Sequence, residues 1–356
     1  MKKALLQSAA LACAVSCSTV ASAQEVVTIY GLIDASVSYA DDVSGSSSHT
    51  LDNGAWQSSR LGFRGVENLG GGLKAIFTLE AGLNVDTGST SAAFFGRQSF
   101  VGLSGEMGTL TLGRQYDFIY YLADGRLVAG GLESAVAGGP SGVAGAVGPL
   151  DLHAGGVRYD NSVKWTKNFG GLGVGLMYGL GREKAVPVGT SRAISATLTY
   201  RNGGFDGGFA WVKDNYDAAN SGNAANEVFV AKATYKMGRW LTFANVSTGE
   251  SRNTKAKHRP VEVGFMYSAT PLWDIGLAVS RARLTNAAGQ RTNSNRLLLG
   301  STYALSKRTL LYTTAGIVQS GDSSVYAGFV GAPGGAAAPA SGSTQRVVRA
   351  GIRHVF

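Results

Sequence analysis

Residues Val27–Val37 read VTIYGLIDASV, and their order decides the fold. Val27, Ile29, Ile33, Ala35 and Val37 fall on one side of an extended chain, with Thr28, Tyr30, Asp34 and Ser36 on the other. That period of two marks a β-strand with one apolar face. The pattern recurs from end to end. Leu73, Ala75, Phe77 and Leu79 alternate with Lys74, Ile76, Thr78 and Glu80, and Leu172, Val174, Leu176 and Tyr178 with Gly173, Gly175, Met177 and Gly179. Ile194, Ala196, Leu198 and Tyr200 alternate with Ser195, Thr197, Thr199 and Arg201, while Val261, Val263, Phe265 and Tyr267 face away from Glu262, Gly264 and Ser268. No stretch has helical periodicity of comparable quality. The second faces are small or polar. A soluble sandwich would have to pack its apolar faces together, whereas a membrane barrel turns them to lipid and its polar faces to water. The expectation is an all-β transmembrane barrel.

The turns fix the strand number. Tight Gly- and Asn-bearing turns fall at Asn68–Gly72, Gly105–Gly108, Asn168–Gly171, Asn202–Gly204, Lys236–Arg239, Ala269–Leu272 and Leu305–Arg308, as hairpins require. Longer polar connections alternate with them: Asp41–Gly54, Asp86–Phe94, Tyr116–Gly156, Gly181–Thr190, Asn215–Ala225, Glu250–Lys257, Thr285–Thr292 and Gln319–Gly342. Eight long connections and seven short turns join sixteen antiparallel strands, and both termini fall on the short-turn, periplasmic side. Aromatics near strand ends (Tyr30, Trp56, Trp165, Tyr200, Trp211, Trp240 and Trp273) predict interfacial girdles. Ala332–Ser343, in the last long connection, is low-complexity.

The start of the chain predicts its compartment. Met1-Lys2-Lys3, the mostly apolar run Ala4–Val20 and the small-residue site Ala21-Ser22-Ala23 read as a secretory signal peptide over residues 1–23. The barrel domain is then residues 24–356. Both cysteines, Cys13 and Cys17, lie in the segment removed, so a closed sheet rather than disulfides must hold the mature chain. Losing Lys2 and Lys3 takes the formal charge from +9 to +7. Dispersed arginines without a basic block argue against nucleic acid and for an anion-attracting surface.

Tyr116–Gly156 is the exception to the short-strand pattern: about forty residues rich in Gly, Ala and Val, carrying Asp117, Asp124, Glu133 and Asp151. So long a structureless connection is rare unless functional. It is predicted to fold into the barrel and narrow it. Alternation places Arg60 and Arg64 on one inward face, with Arg349 and Arg353 repeating that spacing on the last strand. Lys74, Arg158, Lys164 and Arg296 fall on non-lipid faces, and Arg97 and Arg114 flank the root of the loop, where glycines allow bulges. An arginine facing lipid at mid-membrane costs about 2–4 kcal/mol, which favours the lumen. Loop acids opposite such a basic wall would set up a transverse field, and the excess of positive charge predicts a mild preference for anions.

The segments IYGLIDASVSY (Ile29–Tyr39), SRLGFRGVENLGGGLKAIFTLEAGLNVDTG (Ser59–Gly88), FGRQSFVGLSGEMGTLTLGRQYD (Phe95–Asp117), DNSVKW (Asp160–Trp165), SKRTLLY (Ser306–Tyr312) and GIRHVF (Gly351–Phe356) resemble the general Gram-negative porins of β-proteobacterial outer membranes. The resemblance spans nearly the whole mature chain. It implies a sixteen-stranded homotrimer with the third loop folded into each pore, and passive diffusion of ions and small hydrophilic solutes. Val348, Ala350, Ile352, His354 and Phe356 share one face that ends in a C-terminal aromatic, as in strands recognised by the barrel-assembly machinery. Outer-membrane lipid and lipopolysaccharide would then surround the barrel. No cofactor or metal is called for. His49, His153, His258 and His354 have no Ser-His-acid spacing or zinc-like grouping, so a barrel enzyme is disfavoured. A non-conducting barrel acting as an adhesin or structural protein remains the alternative.

Overall fold

The computed structural model describes residues 26–43, 46–90, 93–123, 158–181, 192–215, 226–251, 255, 257–285, 288–321 and 344–356. The strands are β1 Val26–Val43, β2 in two segments (Ser46–Asn53 and Arg60–Gly70), β3 Leu73–Asn84, β4 Gln98–Gly105 and β5 Gly108–Tyr116. After the short helix α1, Phe118–Ala123, come β6 Arg158–Phe169, β7 Leu172–Gly179, β8 Arg192–Asn202, β9 Phe205–Asn215 and β10 Asn226–Met237. The last six are β11 Trp240–Ser251, β12 Lys257–Thr270, β13 Trp273–Thr285, β14 Arg291–Ala304, β15 Thr309–Ser320 and β16 Thr344–Val355. Every strand is antiparallel to its neighbours in the chain, and β1 also pairs with β16, from Leu32 opposite Val355 to Ala40 opposite Val347. The sheet closes into a sixteen-stranded barrel.

The two segments of β2 share one strand position. The first half of β1 pairs with Arg60–Val66 and its second half with Ser46–Asn53. The expected connection Asp41–Gly54 is therefore largely strand, and the irregular stretch falls instead at Gly54–Ser59. Its backbone is held by Asp34, whose carboxylate accepts from the N–H groups of Gln57 (2.7 Å) and Trp56 (3.2 Å). Polar residues at Ser46–Asn53 resemble a loop in sequence, but pairing with β1 supplies the hydrogen bonds that make them strand.

The alternation of burial matches the alternation of chemistry. Val27, Ile29, Val37, Leu176, Leu198, Val263, Leu299 and Ile352 are exposed on the outer wall, while Asp34, Ser36, Ser38, Ser162, Asn245 and Thr314 are buried on the inner one. An apolar outside and a polar inside fit a barrel whose solvent is lipid. Tight turns close the hairpins at one end, as at Gly70, Gly71 and Gly72, all with positive φ that only glycine adopts cheaply. Two aromatics expected in the girdles lie elsewhere: Tyr30 turns inward to Glu80, and Trp56 packs edge-on against the inward Tyr312. Trp240 and Trp273 are exposed on the outer wall.

The long connection after β5 begins with α1, seated on the inner wall. Phe118, Ile119 and Leu122 pack with Met177, Ala193, Ala210, Val212, Val228 and Val230, the inward residues of β7–β10. Gly175 makes room: a Cβ there would lie 2.5 Å from the Phe118 ring. The rest of the predicted constriction loop lies outside the described residues, as do the predicted signal peptide and the run Ala332–Ser343.

At the seam, Phe356 continues the ladder by exchanging both backbone hydrogen bonds with Gly31, each 3.1 Å. Its ring covers Gly31, where a Cβ would also lie 2.6 Å from the Arg60 carbonyl. His354, outward beside it, is bonded through Nδ1 to the Thr309 hydroxyl at 2.8 Å. Gly31→Val should cost about 1–3 kcal/mol, because the fixed Arg60 carbonyl leaves the new side chain no room. A lower temperature for loss of the compact folded band on a semi-native gel checks this; an unchanged temperature contradicts it.

Candidate functional site: a basic inner wall

One row of residues organises the site. Across β1, β2, β3 and β4, Tyr30 stands opposite Gly62, Gly62 opposite Glu80, and Glu80 opposite Gln98. Because Gly62 has no side chain, the Tyr30 ring lies over it, 2.6 Å from where a Cβ would be, and its hydroxyl donates to Glu80 Oε2 at 2.9 Å. Glu80 Oε1 accepts from Arg97 Nε at 2.7 Å and lies 3.9 Å from Arg60. Both Glu80 and Arg97 are buried. Burial works against the Arg97 charge, and the buried Glu80 carboxylate beside it offsets that cost.

Tyr116 is the second centre. It stacks on Tyr120, ring centroids 3.7 Å apart and 13° from parallel. Arg158 lies over the Tyr116 ring at 4.5 Å and donates to its hydroxyl at 2.8 Å. Arg97 sits 5.8 Å from the same ring. Such cation–π contacts hold a guanidinium in place without neutralising it. Lys164 donates to the Tyr116 carbonyl at 3.0 Å and lies 4.9 Å from the Tyr121 ring. Arg64, exposed, lies 5.4 Å from the Tyr30 ring. Arg60, Arg64, Arg97, Arg158 and Lys164 thus group around two carboxylates, Glu80 and Asp117. Among the described residues, neither Arg64 nor Arg158 has an acidic partner.

Asp117 does not face water. It is fully buried and caps α1, its Oδ1 accepting from the Tyr120 N–H at 2.9 Å, as an N-terminal aspartate does. Arg114 stands apart from the Glu80 group. A bulge between Gly113 and Gln115 re-aims it, and it donates to the Gly96 carbonyl (2.7 Å) and to the exposed Asp160 (2.6 Å). Lys74 shares the parity of Glu80 but lies six residues away, about 20 Å along the strand, near the tight-turn end. Asp124, Glu133 and Asp151 lie outside the described residues.

Arg349 and Arg353 form a separate inner group at the seam. Arg349, buried, donates to the Ser38 hydroxyl at 2.9 Å and lies 3.4 Å from Asp52, which also takes the Ser38 proton. Arg353 donates to Gln57 at 2.7 Å, over the Trp56 ring. Tyr312 donates to Asp34 at 2.6 Å. Arg296 is buried on the inner face of β14. Glu80, Tyr30, Tyr116 and Asp34 are not among the pore-lining residues that the sequence singles out. Only the Gly62 gap that lets Tyr30 cross a strand could have signalled the first pair.

A closed barrel with an apolar outside and a polar, charged inside defines a transmembrane channel protein. The chain matches the family described as Gram-negative porin over residues 8–323; it belongs to that family. It is 31% identical to outer membrane porin protein 32 of Delftia acidovorans across the full length of both chains. The solved anion-selective porin from Comamonas acidovorans superposes with a TM-score of 0.77 at 26% identity, covering 94% of this chain and all of that one. The trimer form of OmpT from Vibrio cholerae shares the fold, with TM-score 0.69 at 15% identity over 93% of this chain and 99% of that one. The protein is an outer-membrane porin, and its barrel spans the outer membrane of a Gram-negative cell.

The Arg97–Glu80 and Arg114–Asp160 pairs differ in burial, and so should their worth. Glu80→Gln leaves buried Arg97 without its partner and should cost about 3–5 kcal/mol. Asp160→Asn removes an exposed partner of Arg114 and should cost at most about 1 kcal/mol. Urea unfolding of the two variants in detergent checks the order; equal losses contradict it.

Proposed function

We propose that the channel prefers anions, that the constriction lies at the Glu80–Tyr116 wall, and that the chain works as a homotrimer. The observation that carries the preference is the charge balance there among the described residues: five cations against two carboxylates, one committed to Arg97 and the other to the start of α1. An anion about 6 Å from one guanidinium in water gains roughly 0.7 kcal/mol, and a cation loses as much. One uncompensated arginine therefore separates the two by about 1.4 kcal/mol, roughly tenfold in occupancy. Fixed charges only bias which ions enter; the flow stays passive, and no catalytic group, cofactor or metal takes part.

The printed description of the Comamonas protein as anion-selective supports the sign, and the trimer form of OmpT supports the assembly. The inward seat of α1 supports a loop, Tyr116–Gly156, that crosses the lumen and brings Asp124, Glu133 and Asp151 towards the basic wall. Lys74, Arg349 and Arg353 would extend the positive surface beyond the constriction. Phe356 ends the strand that the assembly machinery would read. A removed leader over residues 1–23 fits the destination. A non-conducting adhesin or structural barrel is the reading that electrical silence would favour.

Single-channel recording in planar bilayers tests this. Conductance should rise in steps of three, with a reversal potential favouring chloride at about 0.1 M salt. The preference should fade near 1 M, where the Debye length shrinks to about 3 Å. Arg64→Gln with Arg158→Gln should lower the chloride preference several-fold while leaving the three-step pattern. Cation preference in the unaltered protein would refute the charge argument, and a folded barrel without conductance would refute the channel.

A further inference from the structure

Between α1 and the tight-turn end, the inner wall opens into a cavity apart from the Glu80 group. Three register rows across β6–β10 define it. In the first, Gly175 stands opposite Thr197, Thr197 opposite Ala210, and Ala210 opposite Val230. α1 is seated on this row, with the Phe118 ring over Gly175. Two residues nearer the tight-turn end, the second row runs Asn168, Gly173, Thr199, Gly208 and Lys232. Its two glycines leave a gap on either side of Thr199. In the third row Arg201 faces Asp206, and Asp206 faces Thr234. Arg201 Nε donates to the Asp206 carboxylate at 2.7 Å.

Rows two residues apart lie about 7 Å apart along a strand. The second row is therefore a slot about one ring wide, between the helix on one side and the ion pair on the other. The cavity measures about 590 Å³, within the range of small-molecule sites. Phe118, Tyr121 and Leu122 line it from α1, and Gly173, Gly207, Thr197 and Thr199 from the sheet. Lys232 brings an amine to its edge, whereas the Arg201 charge is already matched by Asp206. Aromatic rings on one side, a floor with little side chain on the other and an amine at the rim suit a flat ring bearing one carboxylate. Aromatic faces and edges attract a second ring beyond the area they cover, and an ammonium holds a carboxylate by a charge-assisted hydrogen bond. A compact inorganic anion gains nothing from the rings, and a saturated acid has no face to offer them.

We propose that this cavity is a binding station for small aromatic monocarboxylates passing through the lumen. The ring lies between the Phe118 and Tyr121 side chains and the floor at Gly173 and Gly207, and the carboxylate meets Lys232 Nζ. The station adjoins the basic wall. Lys164, four residues before Asn168 on β6, has its Nζ 5.8 Å from the Phe118 ring and 4.9 Å from the Tyr121 ring. The same two rings thus touch both the wall and the cavity. The inference rests on the channel reading and adds to it a preference for ring-bearing anions that charge alone does not give.

Saturation-transfer NMR on the folded full-length protein in detergent tests this, with benzoate, cyclohexanecarboxylate and benzyl alcohol as probes. The unaltered protein is compared with Lys232→Gln, Lys232→Arg and Tyr121→Leu, each shown to be folded by its compact band on a semi-native gel. Benzoate should bind saturably and about fivefold or more tighter than cyclohexanecarboxylate, which cannot stack, or benzyl alcohol, which has no charge. Lys232→Gln should weaken benzoate about tenfold, and Lys232→Arg should restore it. Tyr121→Leu should weaken it about three- to tenfold. Equal benzoate binding by all four proteins overturns the site, and cyclohexanecarboxylate bound as tightly as benzoate overturns the ring assignment. Because the readout is equilibrium binding, it separates from conductance. A conducting channel that does not bind benzoate refutes this inference alone, whereas a silent barrel that binds it supports the site and refutes the channel.

Discussion

Within a bilayer no water satisfies a backbone N–H or C=O, so a spanning sheet has to leave no edge. The seam between β1 and β16 is where this chain meets that constraint. Its ladder runs from Leu32–Val355 to Ala40–Val347, and Phe356 adds one more pair of bonds with Gly31. Polar side chains reinforce it from inside: Arg349 to Ser38 and Asp52, Tyr312 to Asp34. Closure also fixes which face is in and which is out. Everything said about the lumen and the lipid wall depends on that assignment.

Once the faces are fixed, the inner wall becomes a place where charge can be held at modest cost. The row from Tyr30 to Gln98 keeps one glutamate opposite several cations, with buried Arg97 as its main partner. Tyr116 holds Arg158 and Lys164 through its ring, hydroxyl and carbonyl, none of which cancels their charge. Apolar inward residues on β7–β10 seat α1, so the same wall both steadies the start of the long connection and turns Asp117 into a cap. Among the described residues, charge left uncompensated here is a property of the packing, not only of composition.

The strands were legible because lipid demands a one-sided pattern: Val261, Val263 and Phe265 outward, Glu262 and Gly264 inward. Sixteen followed from the turns, which carry glycine and asparagine wherever the chain must reverse tightly. Ser46–Asn53 escaped, since its polar residues are strand only through pairing with β1. Inward parity could be read for Arg60, Arg64 and Lys164, but not their grouping. That depends on a ring crossing a glycine at Gly62 and on a bulge at Gly113, neither of which has a periodic signature. Tyr30 looked like a girdle residue for the same reason. The seat of α1 was hidden because Ala210, Val212, Val228 and Val230 are apolar on the face expected to be polar, and such two-faced strands read as noise in an alternation.

Inside and outside of this barrel use arginine differently. At the Glu80–Tyr116 wall, aromatic rings and one glutamate hold the cations in place; on the outer wall, Arg259 and Arg283 stand directly opposed with no carboxylate partner among the described residues. The most direct measurement of the central claim is anomalous diffraction from crystals soaked in bromide and, separately, in rubidium. Bromide peaks inside the barrel beside Arg60, Arg64 and Arg158, with no rubidium there, are what a water-filled, anion-preferring lumen predicts. Rubidium beside Glu80 with bromide absent, or no ion of either sign inside, would contradict it.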